Sequence, residues 1–343
     1  MKQHLNTLFV TTEGAYLAKD GEAVAVRVQR ETRLRVPLHN LGGVVCFGRV
    51  GLSPAAMGAC AEAGVTISML SQYGRFRAAI VGFTPGNVLL RRQQYRTADD
   101  PAASCSIARE IVAAKIANAR SVLLRAARDS PDPGMAPVLT AAATHMVQAL
   151  ETARACESLE TLRGIEGQAA NTYFGVFGYM VAAGQEEFRI CGRARRPPTD
   201  PLNALLSFLY SLLAHDARSA CEAAGLDAAV GFLHRDRPGR PGLALDLMEE
   251  FRPLLCDRLV LSLVNRRQVV ASGFMTAASG AVTMDDKTRK TVLVAYQKRK
   301  QGTIMHPFLG EKTTVGLLVH LQARLLARHL RSDLDAYPPF LWR

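Results

Sequence analysis

The hydrophobic pattern of this chain changes its period once, near residue 85. Before that point, short runs of alternating apolar and polar residues, such as residues 24–28, are separated by turn signals, which is typical of β-strands. Beyond it, stretches rich in Ala, Leu, Arg and Glu, such as residues 104–127, are too long for strands and indicate helices. The sequence therefore predicts an α+β fold, with a β-rich domain over residues 1–84 and a larger all-helical domain over residues 85–343.

Local signals predict where several elements begin and end. Asp20-Gly21 predicts a hairpin turn between two strands. Ser53 can cap a helix over residues 55–63, and Gly64 can end it in a left-handed conformation. The run Thr84-Pro85-Gly86-Asn87 predicts the domain boundary, and a length of 343 residues favours two domains over one.

Composition and charge restrict the class of protein. Hydrophobic residues make up 48% of the chain and charged residues 21%, as in folded globular proteins. Lys and Arg outnumber Asp and Glu by 42 to 30, and the net charge of +12 points to a polyanion partner. On charge alone a basic protein without such a partner is an equal alternative, so the clustering of the basic residues has to decide. Seven cysteines without a CxxC pair predict reduced thiols. Since no stretch resembles a signal peptide or a membrane span, we expect a cytoplasmic protein.

Four acidic residues and one histidine carry the most chemical information. Glu166 lies among small residues in an apolar helical stretch, and His234 ends the apolar run 228–233 before a basic loop rich in Pro and Gly. Asp246, Glu249 and Glu250 are spaced so that they lie near one face of the following helix. For any one of these residues alone, the more common explanation is a solvated acidic side chain or a histidine packed in the core.

Like charges held together repel one another unless a cation lies among them. Carboxylate oxygens and one imidazole suit Mg2+ or Mn2+, whereas zinc sites more often show paired cysteines or an HExxH pattern. A divalent ion at such a site can promote attack on a phosphodiester. The alternative is an acidic helix face that makes ion pairs with neighbouring arginines.

Basic residues are clustered around these candidates, which favours a track for phosphates. A solvated loop is the alternative explanation for any one cluster. The clusters consist of Arg189, Arg193, Arg195 and Arg196, then Arg235, Arg237 and Arg240, and finally residues 287–300. Tyr210 and Asn203 lie in a helix whose start is predicted by Asp200 and Pro201, and both are candidates to orient a phosphate or a 3′-end.

The motifs, taken in order, resemble those of the CRISPR-associated spacer-integrating endonuclease family, and the resemblance spans nearly the whole chain. Among the subtypes of this family, the chain looks most like type I-C, whose members also recruit an exonuclease that trims prespacers. The matching segments are residues 52–54 and 64–74, Glu166 in its small-residue helix, residues 195–203, residues 231–234 and residues 245–253.

The resemblance implies an amino-terminal β-sandwich-like domain that contributes to a homodimer, followed by an all-α catalytic domain. It implies double-stranded DNA as substrate, both prespacer and repeat, and a small second adaptation protein as partner. Prespacer 3′-hydroxyl ends would be joined to the repeat by transesterification. Mg2+ or Mn2+ would be bound at Glu166, His234 and Glu249, with Asp246 at a further acidic position of the motif.

One departure from the family leaves the ligand set ambiguous. Several relatives carry a second Asp where this chain has Glu249, and Glu250 beside it is an alternative ligand. Apart from the resemblance, two other functions are consistent with the residues: a metal-dependent nuclease that cuts branched DNA or RNA without integrating, and a non-catalytic basic adaptor. For a shared metal ion, we expect carboxylate oxygens of Glu166 and Glu249 near one imidazole nitrogen of His234, with Asp246 and the arginine loops bordering the same cavity.

Overall fold

The computed structural model describes residues 6–72, 76–82, 87–130, 134–182, 186–188, 190, 192–194 and 197–342. Residues 84–86 of the predicted boundary and the candidate DNA-binding residues Arg189, Arg195 and Arg196 lie outside the described residues. The chain divides into two compact units. The first contains Met1–Gly86, Leu293–Thr303 and Thr314–Leu317, and the second contains Asn87–Val292, Ile304–Thr313 and Leu318–Arg343.

The first unit is built mainly from two four-stranded sheets and one helix. Its elements are β1 (Asn6–Val10), β2 (Tyr16–Asp20), β3 (Ala23–Val28), β4 (Glu31–Pro37), a 3-10 turn (Leu38–Asn40), β5 (Leu41–Phe47), β6 (Gly51–Leu52), α1 (Pro54–Glu62), β7 (Thr66–Leu70) and β8 (Phe76–Ile80). The strand orders are β1-β5-β7-β8 and β4-β3-β2-β6. In the first sheet β5 is parallel to β1 and β7, whereas β8 is antiparallel to β7.

Apolar side chains from both sheets and from α1 share one buried core, which includes Leu17, Val26, Val44 and Ile67. This arrangement confirms the sandwich-like domain. The local signals are confirmed as well: the Ser53 hydroxyl accepts a hydrogen bond from the Ala56 amide at 3.1 Å, and Gly64 has φ +67°. The cap and the glycine therefore set the two ends of α1.

The second unit is mainly helical. Its elements up to residue 265 are α2 (Val88–Asp99), α3 (Pro101–Asp129), α4 (Met135–Arg154), α5 (Leu159–Gly175), 3-10 turns (Phe177–Met180 and Glu186–Phe188), α6 (Pro201–Ala223), α7 (Gly242–Glu249), a π-helical turn (Arg252–Asp257) and α8 (Arg258–Asn265). The elements after residue 265 are a 3-10 turn (Ala271–Gly273), β9 (Phe274–Thr276), β10 (Val282–Met284), α9 (Asp286–Gln301), β11 (Thr303–Met305), β12 (Lys312–Thr314), a 3-10 turn (Val315–Leu317) and α10 (Leu318–Leu330). Of these, the turn Val315–Leu317 lies in the first unit. Of the described helices, none combines the length and the hydropathy that crossing a membrane would require.

Two features after residue 265 differ from the prediction of an uninterrupted helical domain. The short strands β9 and β10 pair as an antiparallel ribbon, and β11 pairs with β12. The second half of α9 belongs to the first unit. There the Lys300 ammonium donates to the Thr7 hydroxyl at 3.0 Å, and the Gln297 side-chain amide donates to the Asn6 side chain at 3.3 Å. These hydrogen bonds join residues nearly 300 positions apart, so the boundary of the first unit is not a single point in the sequence.

Helix α3 is the central element of the second unit, where it contacts α4, α5 and α7. Its 29 residues start at Pro101 after Asp100, whose carboxylate accepts hydrogen bonds from the Ala102 and Ala103 amides. Buried side chains occur along most of its length, including Ile107, Ile111 and Leu123. Because α3 touches both helices that carry predicted ligands, α5 and α7, it is placed to contribute a side chain between them.

Candidate active site

The carboxylate of Asp246 organises the loop that carries His234. One oxygen, Oδ2, accepts hydrogen bonds from the amides of Phe232 at 2.6 Å and Leu233 at 3.0 Å. The other, Oδ1, accepts from the His234 amide at 3.0 Å. Asp246 is fully buried, and these charge-assisted bonds compensate for the loss of water around its carboxylate. Asp246 therefore sits behind His234 and fixes the loop rather than facing the cavity.

Two glycines allow this loop to approach the start of α7. A Cβ on Gly231 would lie 2.7 Å from the Asp246 carboxylate oxygen and 2.7 Å from the Gly242 carbonyl carbon. A Cβ on Gly242 would lie 2.6 Å from the Ala229 carbonyl oxygen. Real Cβ atoms do not tolerate such distances from backbone, so any larger residue would push the loop away. Glycine at both positions keeps His234 next to α7.

Three side chains from other helices hold the same loop from the outside. Gln94 on α2 donates to the carbonyls of Asp227 and Val230, both at 2.8 Å. Ser104 on α3 donates to the Phe232 carbonyl at 3.2 Å. Arg163 on α5 donates to the Leu233 carbonyl at 2.7 Å. The loop is thus positioned by three helices in addition to α7, as a side chain used for precise binding requires.

The imidazole of His234 has a defined orientation. Its Nδ1 donates to Asp246 Oδ1 at 2.6 Å, which leaves Nε2 as the nitrogen with a lone pair when the ring is neutral. Nε2 lies 4.0 Å from Oε1 of Glu249. A carboxylate behind the histidine and a second carboxylate in front of it is the arrangement found around histidines that bind metal ions. The expected proximity of His234 and Glu249 is confirmed.

Glu249 is almost fully buried, and cations surround it. Oε1 lies 2.8 Å from the Arg252 guanidinium, and Oε2 lies 2.7 Å from the Lys115 ammonium. Burial by itself raises the pKa of a carboxyl group, but here the charges of Arg252, Lys115 and His234 outweigh burial and lower the pKa of Glu249. The carboxylate is therefore charged over the whole physiological pH range, as a metal ligand must be.

Glu166 on α5 reaches the same place through Lys115. The Lys115 ammonium makes an ion pair with Glu166 Oε1 as well as with Glu249. The expected convergence of three ligands on one point is not seen: among the described residues, no three His, Cys, Asp or Glu side chains converge closely enough to hold one ion. The reason is visible in the geometry, since an ammonium group lies between the two carboxylates.

The residues nevertheless fit a divalent cation in charge and donor type. Two carboxylates from α5 and α7 share a cation already, and the imidazole Nε2 faces one of them. Oxygen and imidazole donors suit Mg2+ or Mn2+. Glu166, Glu249 and His234 are the residues that would hold such an ion.

Glu250 points to a different part of the molecule. Its carboxylate accepts hydrogen bonds from the Tyr337 hydroxyl at 2.5 Å, the Phe340 amide at 2.7 Å and the Gln322 side-chain amide at 3.0 Å. Burial raises the pKa of Glu250 to about 7, although these donors oppose the shift. All of its partners lie in α10 and residues 337–340, so the structure favours Glu249 over Glu250 as the ligand.

Tyr210 lies at the cavity beside Glu166, which Lys115 and Arg252 also line. Its hydroxyl donates to Asp257 Oδ1 at 2.6 Å, and the Tyr173 hydroxyl donates to Oδ2 at 3.1 Å. Burial raises the pKa of Asp257 to about 6, against the effect of both hydroxyls. The Arg252 guanidinium lies 4.7 Å from the centre of the Tyr210 ring. Tyr210 thus supports Arg252, which in turn contacts Glu249.

The predicted DNA-binding residues have different surroundings. Arg235 and Arg237 are exposed, and Arg235 pairs with Glu160 on α5, while Arg240 is half-buried. Arg193 donates to the Asn203 side-chain oxygen at 2.6 Å and to the Ser207 hydroxyl at 3.0 Å. Asn203 is fully buried and holds the loop before α6. Contact of Asn203 with DNA would require that loop to open, so its place on the phosphate track stays an untested prediction.

Several residues of the site were not predicted from the sequence. Lys115, Arg252 and Asp257 lie at its centre, and Gln94 and Arg163 hold the histidine loop. Arg252 could have been found, because it lies three residues after Glu249 and spacings of three bring helical side chains together. Lys115 gives no such signal, since it is one of many cations in a long helix.

Comparison with known proteins shows the family and the fold. The family model described as CRISPR associated protein Cas1 matches residues 8–298. A CRISPR-associated endonuclease Cas1 of Chlorobaculum tepidum is 52% identical over 343 residues, covering 100% of both chains. Two solved structures share the fold at 21% identity and cover 99% of this chain. A casposase bound to integration product has a TM-score of 0.83 with 95% of that chain covered, and a Cas6-RT-Cas1–Cas2 complex has a TM-score of 0.81 with 36% covered.

The match to the family model covers most of the chain, and the identity to the Chlorobaculum tepidum relative extends over all of it. The relative is itself an endonuclease. The resemblance to the spacer-integrating endonucleases is therefore confirmed at the level of the family, whereas the type I-C subtype stays a prediction. The chain belongs to the Cas1 family of CRISPR-associated proteins.

Proposed function

We propose that this protein is a divalent-metal-dependent DNA endonuclease and integrase, which joins the 3′-hydroxyl ends of a prespacer to a CRISPR repeat. The observation that carries the proposal is the imidazole of His234, which Asp246 holds on one side so that Nε2 faces Glu249 on the other. Two similarities support it: the relative is a CRISPR-associated endonuclease, and the neighbouring casposase is bound to an integration product.

Glu166, Glu249 and His234 Nε2 would hold Mg2+ or Mn2+. The bound ion would neutralise phosphate oxygens and favour the deprotonated form of an attacking hydroxyl group. Asp246 keeps the proton on Nδ1, so that the lone pair of Nε2 is left to bind the metal ion. Arg252, paired with Glu249 and stacked on Tyr210, keeps the Glu249 carboxylate in place.

The joining reaction exchanges one phosphodiester for another. The prespacer 3′-oxygen attacks a phosphorus atom of the repeat and loses its proton to solvent, while the bond from that phosphorus to the repeat 3′-oxygen breaks. The departing oxygen takes up a proton, so the number of phosphodiester bonds is unchanged and no high-energy cofactor is needed. Water in place of the 3′-hydroxyl would give strand cleavage instead, which is why the same residues serve both activities.

The proposed DNA surface consists of Arg235, Arg237 and Arg240 beside His234, together with Arg193, Arg195 and Arg196 before α6. The proposed assembly is a homodimer that works with a small second adaptation protein and, in the type I-C setting, with a trimming exonuclease. Support for the small partner comes from the structural neighbour that is a Cas1–Cas2 complex. A basic protein with a net charge of +12 is also suited to a duplex partner.

The test is a joining assay with a labelled prespacer duplex and a supercoiled plasmid that carries the repeat, in the presence of the small partner and Mn2+. We expect the label to become covalently attached to the plasmid. His234→Ala and Glu166→Ala should abolish joining while duplex binding and the circular dichroism spectrum stay unchanged. A prespacer that ends in a 3′-deoxynucleotide is the matched control, because it lacks the attacking oxygen.

Three outcomes would contradict the proposal in different ways. Cutting of branched DNA or RNA without any joining would favour the hydrolytic nuclease. Equal joining by the wild-type protein and by both variants would show that Glu166 and His234 do not form the active site. Loss of folding in both alanine variants would instead favour a structural role for these residues.

A further inference from the structure

An ammonium group lies where the two proposed acidic ligands come together. Lys115 Nζ is 2.7 Å from Glu249 Oε2 and makes a second ion pair with Glu166 Oε1. The side chain of Lys115 is only 13% exposed, that of Glu249 3% and that of Glu166 24%. The three groups are thus largely shielded from water. Charge interactions are stronger in such an environment than in water.

The fold fixes the position of Lys115. One turn later on α3, the Asn118 side chain donates to the carbonyls of Glu250 at 2.8 Å and Phe340 at 2.9 Å. Asn118 also accepts a hydrogen bond from the Trp342 amide at 2.8 Å. Since Glu250 follows Glu249 directly, these contacts tie α3 to the end of α7. Lys115 therefore reaches the carboxylates from a fixed backbone.

The charges around the carboxylates are balanced without a metal ion. Glu166 and Glu249 contribute two negative charges, while Lys115 contacts both of them and Arg252 contacts Glu249 at 2.8 Å. Two carboxylates brought together without a cation would repel one another, and one of them would take up a proton. Lys115 offsets this repulsion through its two ion pairs and holds the carboxylates close together.

We propose that Lys115 is a built-in substitute for the divalent cation, which holds Glu166 and Glu249 in place until an ion displaces its ammonium. This inference rests on the proposed function, because it concerns the ion of that same site. Displacement makes the lysine a competitor of the metal. Lys115 therefore lowers the affinity for Mg2+ or Mn2+ while it keeps the two carboxylates in place.

A lysine that merely stabilises the fold would behave differently. Both roles predict that removing the ammonium lowers the stability of the metal-free protein. Only a competitor predicts that Mn2+ binds more tightly once the ammonium is gone. A nearby opposite charge changes carboxylate pKa values by about 1 to 3 units, so a competing cation should change metal affinity by roughly 10- to 1000-fold.

The test is calorimetric titration of the full-length protein with Mn2+. Lys115→Met should bind Mn2+ at least about tenfold more tightly than the wild-type protein. Lys115→Arg, which keeps the charge, should not bind more tightly. Lys19→Met is the matched control, because Lys19 is exposed on β2 of the first unit, and it should leave the affinity unchanged.

Thermal unfolding gives a second measurement. Without metal, the midpoint of Lys115→Met should lie below that of the wild-type protein, and saturating Mn2+ should raise it by more than it raises the wild-type midpoint. Lys115→Gln is a second variant for the same measurements if the methionine variant does not fold.

His234→Ala separates the two proposals. If His234→Ala weakens Mn2+ binding but the Lys115 variants bind Mn2+ no more tightly than the wild-type protein, the inference about Lys115 is wrong and the proposed metal site stands. If Mn2+ binding is absent in the wild-type protein and in the Lys115 variants, the proposed metal dependence fails as well.

Discussion

Two adjacent glutamates at the end of α7, Glu249 and the following Glu250, have opposite properties. Glu249 faces Lys115, Arg252 and His234, and its pKa is lowered. Glu250 faces neutral donors from the end of the chain, and its pKa is raised to about 7. Both are buried, at 2% and 0% exposure. Burial alone therefore does not distinguish the two carboxylates; the charge of their partners does.

Glu249 and Glu250, although adjacent in sequence, serve two different tasks. On the Glu249 side, a metal ion could replace the cations as partner of the carboxylate, and a phosphate could replace the carboxylate as partner of the cations. The Glu250 side satisfies its carboxylate with a tyrosine hydroxyl, an amide side chain and a backbone amide, which makes it a structural joint. If this division is correct, changes on the first side should affect activity, and changes on the second should affect stability.

The largest effect is expected from Glu249→Gln compared with Glu250→Gln. Loss of the charge at Glu249 should reduce strand joining by at least about a hundredfold, since a metal ion contributes several kcal/mol to such reactions. Glu250→Gln should reduce joining by less than about threefold, because its partners lie away from the cavity. Both are measured in the plasmid assay at saturating Mn2+. Equal losses would show that the two sides do not differ in function.

The pH dependence of stability should reveal Glu250. Its folded pKa of about 7 lies above the value of about 4.3 for an unfolded chain, so the folded state binds the proton more tightly. This contribution of the Glu250 proton to stability, about 4 kcal/mol in total, is fully present below pH 4.3 and is lost as the pH rises through 7. Urea unfolding between pH 4 and 8 should show a smaller loss in Glu250→Gln than in the wild-type protein. Parallel curves for the two proteins would contradict the raised pKa.

Asp246→Asn tests whether Asp246, which contacts His234 on the side away from Glu249, also contributes to metal binding. An amide would place hydrogens against the histidine Nδ1 or the loop amides, so the imidazole would lose its orientation. We expect Mn2+ affinity to fall by about 10- to 100-fold, as for other groups that orient a metal-binding histidine. Circular dichroism controls for folding. Unchanged Mn2+ affinity in a folded protein would limit the metal site to His234 and the glutamates.

The smallest effect is expected from Tyr337→Phe on the Glu250 side. It removes one donor from the buried carboxylate and should lower the free energy of unfolding by about 1 to 2 kcal/mol. Joining activity at saturating Mn2+ should stay within about twofold of the wild-type value. A large loss of activity with little loss of stability would contradict the purely structural role assigned to Tyr337.

Local signals predicted those parts of the fold that depend on neighbouring residues. Ser53 and Asp200 act as helix caps, and Gly64 ends α1 with a positive φ, because each effect needs only residues within a turn. Strands β9 and β10 were missed because three residues are too few to show a period of two. The return of α9 to the first unit was missed because its contacts with β1 cross nearly 300 residues.

The same distinction applies to the site. His234, Asp246 and Glu249 are close in sequence and were found together, with help from the resemblance to a known family. Lys115 is separated by 51 residues from Glu166, and Gln94 by 136 from Val230, so only the packing of α2, α3, α5 and α7 brings them together. No spacing rule applies over such separations.

The contacts of Glu250 also bear on the order in which parts of the fold can form during synthesis. Phe340, which donates to Glu250, is made 90 residues later. At roughly 5 to 20 residues per second, a growing chain carries Glu250 for about 5 to 18 seconds before that amide exists. Asn118 waits still longer for Trp342. The contacts that Glu250 and Asn118 make with residues 340 and 342 can therefore form only after those residues have been made.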